Sequence, residues 1–267
     1  MLIEFKVSNF RSIRDLQTLS LVSMNADKGL RQNLIDTRMP GISSLRFLKG
    51  AALYGANASG KTNLLEALYF VSFFIETSAS RLGPGQPIPV QPFKLDAATR
   101  LAPSQFEVTC VANGVRYVYG FTVTRERVLE EYLDAYPKGL PQHWYHRRWD
   151  VDAAAYEWVR SETHFRVPVD LQERTRENAL FLSVAAMFNA EQVLPLHGWF
   201  QRSLRFVSLG TGSWFDPSAT MQMHEQAEYR DRIVRFLSNA DTGIVSMTTT
   251  LREVDTQDAS PWLLREQ

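Results

Sequence analysis

The chain has 267 residues, 45% of them apolar and 22% charged, and its 29 basic groups equal its 29 acidic groups in number. This composition is typical of a globular protein with one large domain or two small ones. The zero net charge excludes a uniformly basic nucleic-acid coat but leaves room for a local basic patch. Cys110 is the single cysteine, which excludes an intramolecular disulfide and a multi-cysteine zinc site. No apolar run reaches 18 residues and the first residues do not resemble a secretory signal, so we expect a cytoplasmic protein.

Apolar and polar side chains alternate at the start of the chain. The alternation predicts a half-buried strand over residues 2–10 and a second strand over 16–23. Residues 24–45 are polar with scattered glycine and proline, which predicts a loop. Residues 51–54 (AALY) have no polar face, so we expect a strand that is covered on both sides in a parallel sheet.

The middle of the chain changes from a helical to a strand pattern. Apolar side chains at helical spacing predict a buried helix from about Gly60 to Ser78. A long loop rich in proline and glycine follows over 79–105. Residues 106–112 and 115–123 then alternate on either side of Asn113-Gly114, and this dipeptide indicates a hairpin with a type I′ turn. Further strands are predicted at 128–136, 142–149 and 155–160, and helices at about 176–189, 191–204 and 218–239.

The strongest motif is the segment Gly55-Ala56-Asn57-Ala58-Ser59-Gly60-Lys61-Thr62, which matches the phosphate-binding P-loop G-x-x-x-x-G-K-[ST]. Its glycines let the backbone wrap with N–H groups pointing inward, and the following helix adds the positive end of its dipole. Lys61 would reach the β- and γ-phosphates, and the Thr62 hydroxyl would ligate Mg²⁺. We therefore predict ATP and Mg²⁺ as cofactors. These eight residues and the adjacent Asn63 are the predicted nucleotide site, with Thr62 as the metal ligand.

Together with this motif, NFRSI (9–13) and LYGANASGKTNLLEAL (53–68) resemble the N-terminal half of ABC-type ATPase heads of the SMC, RecF and OLD kind. The likeness is greatest to bacterial ATP-binding proteins of the AAA_15/AAA_21 type, many of which occur in anti-phage defence and abortive-infection operons. PFKL (92–95) and NALFLS (178–183) are also similar to that group. The resemblance implies an α/β fold: the first lobe of a P-loop NTPase head, with an incomplete parallel core sheet, an antiparallel β-meander and helices.

The resemblance also implies roles for individual residues. Arg11 and Ser12 would lie near the nucleotide phosphates, and Asn57 would orient the attacking water or contact the γ-phosphate. The alternatives are a surface salt bridge for Arg11 and simple turn chemistry for Asn57. Gln91 comes too early in the chain for the glutamine of a Q-loop, and we interpret it as a loop residue.

A complete ATPase of this kind also needs a Walker B strand, four apolar residues ending in Asp-Glu. The segment ERVLEEYLD (126–134) has only two apolar residues before its acidic pair and lies in the predicted meander, and no LSGGQ-like signature is present. We therefore assign no general base, and only Lys61 is expected to stabilise transition-state charge. We expect the chain to be the first lobe of an ATPase head that ends before the second lobe, with open edges on the 51–54 strand.

These expectations divide the chain into three regions. They are a P-loop nucleotide-binding core with N-terminal strands and a loop insertion (1–105), an antiparallel meander subdomain (106–165) and a helical region (166–267). In the complete protein, ATP sandwiched between two heads would drive homodimerisation, with output to an effector nuclease or DNA and without membrane contact. The alternative is a non-hydrolysing nucleotide-binding module, either truncated or a split subunit. The arginine-containing segments 146–148 and 174–176 are expected on solvated faces.

Overall fold

The computed structural model describes residues 1–24, 31–37, 39–206, 218–240 and 243–250. The chain forms two compact units, Met1–Phe206 and Val207–Gln267. In the described part of the second unit lie the helices α6 (Ser218–Glu225) and α7 (Ala227–Asn239). The sequence predicted one helix over 218–239. It is interrupted at Gln226, whose backbone is extended, with φ −127° and ψ 107°.

The first unit is built on a seven-stranded sheet in the order β2-β1-β5-β6-β7-β8-β9. Every neighbouring pair in this sheet is antiparallel. The strands are β1 (Leu2–Ser8), β2 (Gln17–Ser20), β5 (Ser104–Ala112), β6 (Val115–Val123), β7 (Val128–Tyr136), β8 (Gln142–Asp150) and β9 (Ala155–Arg160). The predicted strands at the start of the chain and in the meander are thereby confirmed, and β7 and β9 have the predicted bounds.

The β5–β6 hairpin turns at the predicted dipeptide. Asn113 and Gly114 both have positive φ, 46° and 77°. Ala112 pairs with Val115 across the turn. Positive φ at both central residues is the type I′ geometry, whose twist matches that of the flanking strands. The interpretation of Asn-Gly as a hairpin turn is confirmed.

One face of the sheet packs against the helix α1 (Lys61–Thr77), close to the predicted bounds of 60–78. Aromatic rings fill this interface: Phe70 lies 5.1 Å from Phe106, and Phe74 lies 5.7 Å from Phe121, centroid to centroid. Burying each such ring stabilises the fold by roughly 1.5–3 kcal/mol. The second half of the P-loop helix is therefore packed against the sheet.

Shorter elements complete the unit. They are a 3₁₀ turn (Arg31–Asn33), β3 (Leu34–Asp36), β4 (Arg46–Leu48), α2 (Ala97–Leu101), α3 (Asp170–Glu173), α4 (Phe181–Met187) and α5 (Leu194–Ser203). The prediction of a continuous loop over 24–45 is wrong, because β3 lies within it and pairs with β4. The physical reason is a small separate core in which Phe47 packs with Ile3 and Ile42.

The prediction of a covered strand at residues 51–54 is also wrong. These residues belong to no ladder, and the side chains of Leu53 and Tyr54 are 39% and 92% exposed. Among the described residues every strand pair is antiparallel. The segment therefore has no parallel neighbour there, and its apolar side chains meet solvent. The predicted boundary at residue 105 falls inside β5, and β1 shares one sheet with the meander.

A buried ion pair joins the meander to α4. Glu131 on β7 and Arg147 on β8 are both fully buried, with 2.8 Å between Arg147 Nη2 and Glu131 Oε2. The same carboxylate accepts hydrogen bonds from the amides of Phe181 and Leu182 at 2.7 and 2.9 Å, so it caps the N-terminus of α4. The expectation of a solvated face is therefore wrong for Arg147. It holds for the neighbouring Arg148, whose side chain is 66% exposed.

Candidate functional site

The P-loop residues form a compact turn before α1. The Ser59 amide donates to the Ala56 carbonyl at 3.2 Å. The Lys61 ammonium donates to the carbonyls of Gly55 and Ala56 at 2.8 and 2.7 Å. The lysine thus lies across the loop that the motif predicts it to serve. A phosphate entering the loop would replace these carbonyls as its hydrogen-bond acceptors.

Both motif glycines are required by the geometry. Gly60 has φ 94°, in the left-handed region that only glycine adopts freely, and a Cβ there would lie 3.3 Å from Ser12 Oγ. A Cβ at Gly55 would lie 2.7 Å from Ser59 Oγ. The serine hydroxyls at both positions would have to move to admit a side chain. The positive φ at Gly60 is the stronger reason for glycine at that position of the motif.

Helix α1 begins at Lys61, directly after the loop. Its N-cap residue is Gly60, so no side chain caps the first-turn amides. Unsatisfied amides at a helix N-terminus and the helix dipole both favour an anion at this end. Thr62 and Asn63 lie in this first turn, and Thr62 is exposed. Its hydroxyl is a hard oxygen ligand of the kind that Mg²⁺ prefers, so the donor chemistry fits the ion.

A tight turn brings the NFRSI motif against the P-loop. The Phe10 and Ile13 backbones exchange two hydrogen bonds of 2.8 Å, which places Ser12 at the tip of the turn. The Asn63 side-chain amide donates to Ser12 Oγ at 2.6 Å. Ser12 also lines a space of about 320 Å³ together with residues 58–63. Ser12 and the P-loop, which are far apart in sequence, therefore form one surface.

Arg11 points elsewhere. Its guanidinium lies 3.6 Å from the Glu66 carboxylate on α1 and 5.6 Å from the centroid of the Phe10 ring. Its amide donates to the Gln91 carbonyl at 2.7 Å. This is the surface salt bridge considered as the alternative for Arg11, and a phosphate contact stays a prediction. Asn57 is exposed within the turn, and its role also stays a prediction.

The position of the turn depends on Asn9, which the sequence analysis did not single out. Asn9 is buried, and its side-chain nitrogen donates to the carbonyls of Thr99 and Ala102 at 2.9 and 2.8 Å. Its side-chain oxygen accepts from the Phe93 amide at 2.9 Å. Asn9 therefore ties the turn to segment 93–103. Its φ is 52°, a conformation in which asparagine is enriched, so an asparagine at the end of the first predicted strand was the available signal in the sequence.

Next to the P-loop lies a cleft of about 670 Å³. One wall is formed by Ser59, Gly60, Lys61 and Leu64, and the other by the segment that runs from Ser12 into β2. A cleft of this size is in the range of small-ligand sites. The sequence analysis missed Arg14, Asp15, Gln17 and Phe93, which also line it. Only their proximity to NFRSI and PFKL could have indicated them.

None of the described residues that line this cleft is a carboxylate of the meander. Glu131, the second acid of ERVLEEYLD, is fully buried in its ion pair with Arg147. It also accepts hydrogen bonds from the hydroxyls of Tyr119 and Tyr145, and burial, followed by the charge of Glu131, raises the pKa of both tyrosines. Glu131 is thus fully occupied with structural contacts. This agrees with the interpretation that the segment is a poor Walker B candidate.

The comparison with protein families gives a match that includes the P-loop. The model described as "AAA domain, putative AbiEii toxin, Type IV TA system" matches residues 51–173. Residues 51–173 are similar to this family of AAA domains. The matched segment begins just before the P-loop, includes the meander β5–β9 and ends with α3. The predicted AAA_21-type likeness and α/β P-loop class are confirmed, and the AAA domain is an ATP-binding one.

No curated protein matches the chain. Among the described residues, none of the helices has both the length and the apolar character needed to span a membrane.

Proposed function

We propose that this chain binds ATP with Mg²⁺ at its P-loop and acts as the nucleotide-controlled part of an ABC/SMC-like ATPase. The observation that carries the proposal is the compact loop of residues 55–60 at the uncapped N-terminus of α1, with Lys61 folded across it. The backbone amides of the loop, the positive end of the α1 dipole and the Lys61 ammonium all lie around the same small space. That combination favours a bound polyphosphate.

The binding test compares Lys61→Ala with the wild type. Losing a charge-assisted hydrogen bond worth about 1.5–3 kcal/mol weakens ATP binding by roughly tenfold to more than a hundredfold. Lys138→Ala removes an exposed lysine outside the cleft and serves as the matched control, with unchanged affinity. Isothermal titration calorimetry with Mg²⁺ measures all three proteins. Equal affinity of Lys61→Ala and the wild type would refute the P-loop assignment.

ATP is proposed to act as a ligand that drives head-to-head homodimerisation of the whole protein, in a cytoplasmic setting. The resemblance to SMC and RecF heads supports this. The likeness to proteins of anti-phage defence and abortive-infection operons supports a role in phage defence, with output to an effector nuclease or DNA, and the matching family is described as a putative AbiEii toxin of a type IV TA system. Light scattering coupled to size exclusion, applied to the whole protein, tests the switch. The mass should double with ATP and return to that of the monomer with ADP, and Lys61→Ala should stay monomeric. A constant mass in all conditions would contradict the switch.

A second candidate function is a nucleotide-binding module without hydrolysis. Among the described residues that line the P-loop cleft, Asp15 is the one carboxylate, and both its oxygens lie 3.2 Å from Arg14 nitrogens. A carboxylate held in this way is a poor general base for water. A steady-state phosphate-release assay separates the two functions. Tight ATP binding without turnover would favour the module, and turnover that is lost in Lys61→Ala would favour the ATPase.

A further inference from the structure

The cleft beside the P-loop is larger than a triphosphate needs, and its far wall has a different chemistry. Ser59, Gly60 and Lys61 supply backbone and cationic groups at one end. The opposite wall carries the apolar side chains of Ile13 and Leu19 with Gln17 between them in the chain, Phe93 adds further apolar surface, and Arg14, Asp15 and Thr18 are also in the lining. Groups suited to phosphate and an apolar surface that includes a primary amide match the two halves of a nucleotide.

The register of β2 determines which of its side chains turn toward the P-loop helix. Gln17 pairs with Val7 and Leu19 pairs with Phe5 across the antiparallel β1–β2 ladder. Directly opposite residues share a face of the sheet, and Phe5 and Val7 are buried in the core that contains α1. Gln17 and Leu19 are therefore on the α1 side. Ser20 pairs with Glu4 and is on the opposite face.

The Gln17 amide is also available for a ligand. Its side chain is exposed, and it makes no hydrogen bond to the part of the protein that the structure describes. The strand that carries it follows the turn that Ser12 and Asn63 join to the P-loop at 2.6 Å. The amide is thus held on a fixed element beside the loop.

Resting on the proposed function, we infer that Gln17 reads the base of the bound nucleotide, and that it selects adenine. A primary amide offers a donor and an acceptor side by side, which complements the N7 acceptor and N6 amino donor of adenine. The base then lies against the apolar surface of Leu19 and Phe93, and the triphosphate extends to Lys61. Gln17 is a specificity-determining residue that leaves phosphate binding unchanged.

The experiment measures Mg²⁺-dependent binding of three ligands to the full chain: ATP, purine riboside triphosphate, which lacks the 6-amino group, and inorganic tripolyphosphate. We expect Gln17→Ala to weaken ATP binding roughly fivefold to thirtyfold, the loss of one or two neutral hydrogen bonds. Tripolyphosphate binding should change less than about twofold, since it lacks a base. The wild type should prefer ATP to the purine analogue, and Gln17→Ala should bind the two equally.

The controls separate the two proposals. Gln105→Ala removes a glutamine from the outer face of the sheet, where it accepts from Ser8 Oγ at 3.1 Å, and should bind all three ligands as the wild type does. Lys61→Ala should lose ATP and tripolyphosphate alike. If Lys61→Ala loses both, the P-loop proposal stands. The Gln17 inference is then overturned if Gln17→Ala binds ATP as the wild type does, or if it loses ATP and tripolyphosphate equally. If the wild type binds neither ATP nor tripolyphosphate, both proposals are overturned.

Discussion

The buried pair Glu131–Arg147 gives the sharpest stability prediction. Glu131→Gln keeps the shape of the side chain and removes its charge. In the wild type six donors converge on the carboxylate. Three reach Oε1, from the hydroxyls of Tyr119 and Tyr145 and the Leu182 amide, and three reach Oε2, from two Arg147 nitrogens and the Phe181 amide.

The magnitude follows from burial and from the number of acceptors lost. Glutamine has one acceptor oxygen, and an amino group takes the place of the second carboxylate oxygen. This amino group is a donor, and it would face the donors that the second oxygen accepts from in the wild type. Arg147 keeps its hydrogen bond to the Ala179 carbonyl at 2.5 Å but loses its counter-charge while fully buried. Breaking a buried ion pair by removing one partner costs about 3–5 kcal/mol. A typical domain has a total stability of about 5–15 kcal/mol, so the first unit should be severely destabilised.

The assay is urea unfolding followed by tryptophan fluorescence and far-UV circular dichroism, with the free energy of unfolding taken by linear extrapolation. Glu130→Gln is the matched control. Glu130 is the preceding residue, its carboxylate is 35% exposed, and its contact is an exposed histidine, His146, at 2.8 Å. An exposed pair of this kind contributes about 0–1 kcal/mol. If Glu131→Gln cost no more than Glu130→Gln, the argument from burial would be refuted.

A double variant tests whether the loss comes from an unpaired charge. Glu131→Leu with Arg147→Met replaces both ions by apolar side chains. Replacing a buried pair as a unit is often neutral or stabilising, whereas each single change leaves one ion behind. The double variant should therefore be more stable than Glu131→Leu alone. Equal destabilisation in both would indicate that the hydrogen bonds to α4, rather than the charge, dominate.

Two further predictions concern other parts of the first unit. Asn9→Ala should lower the free energy of unfolding by about 1–3 kcal/mol, because it removes a buried side chain and leaves the Phe93 amide and the Thr99 and Ala102 carbonyls without their partner. Urea unfolding checks this, and a loss below about 0.5 kcal/mol, the range of surface changes, would contradict it. Burial raises the pKa of the Cys110 thiol to about 12, from an ordinary value of 9.0. The folded state therefore holds this proton more tightly than the unfolded state, so stability is intact below about pH 9 and falls as the pH rises toward 12, by at most about 1.4 kcal/mol per pH unit. Unfolding midpoints between pH 8 and 11 should fall more steeply in the wild type than in Cys110→Ala, and parallel slopes would sink this reasoning.

The sequence by itself determined the parts that local chemistry controls. The P-loop spacing predicted the phosphate site and the compact turn, since G-x-x-x-x-G-K-[ST] puts glycine at Gly60, where φ is 94°. The alternation of apolar and polar side chains predicted the strands of the meander, and Asn113-Gly114 predicted its first turn. Both were predictable because the faces of a strand and the type of a hairpin turn depend on residues that are close in sequence. The bounds of α1 followed from its apolar periodicity for the same reason.

Only the tertiary structure decided what depends on partners distant in sequence. Residues 51–54 have an ideal composition for a covered strand but lie exposed, because burial requires neighbouring strands that no local pattern reveals. Arg147 sits in a charged segment typical of solvent, yet it is fully buried because Glu131 lies beside it on the next strand. Likewise Ser12, Gln17 and Lys61 line one cleft only because the β1–β2 turn folds back onto the start of α1. Strand pairing and packing between residues distant in sequence bring the cleft residues together. The local pattern of one sequence does not show which distant residues will be in contact.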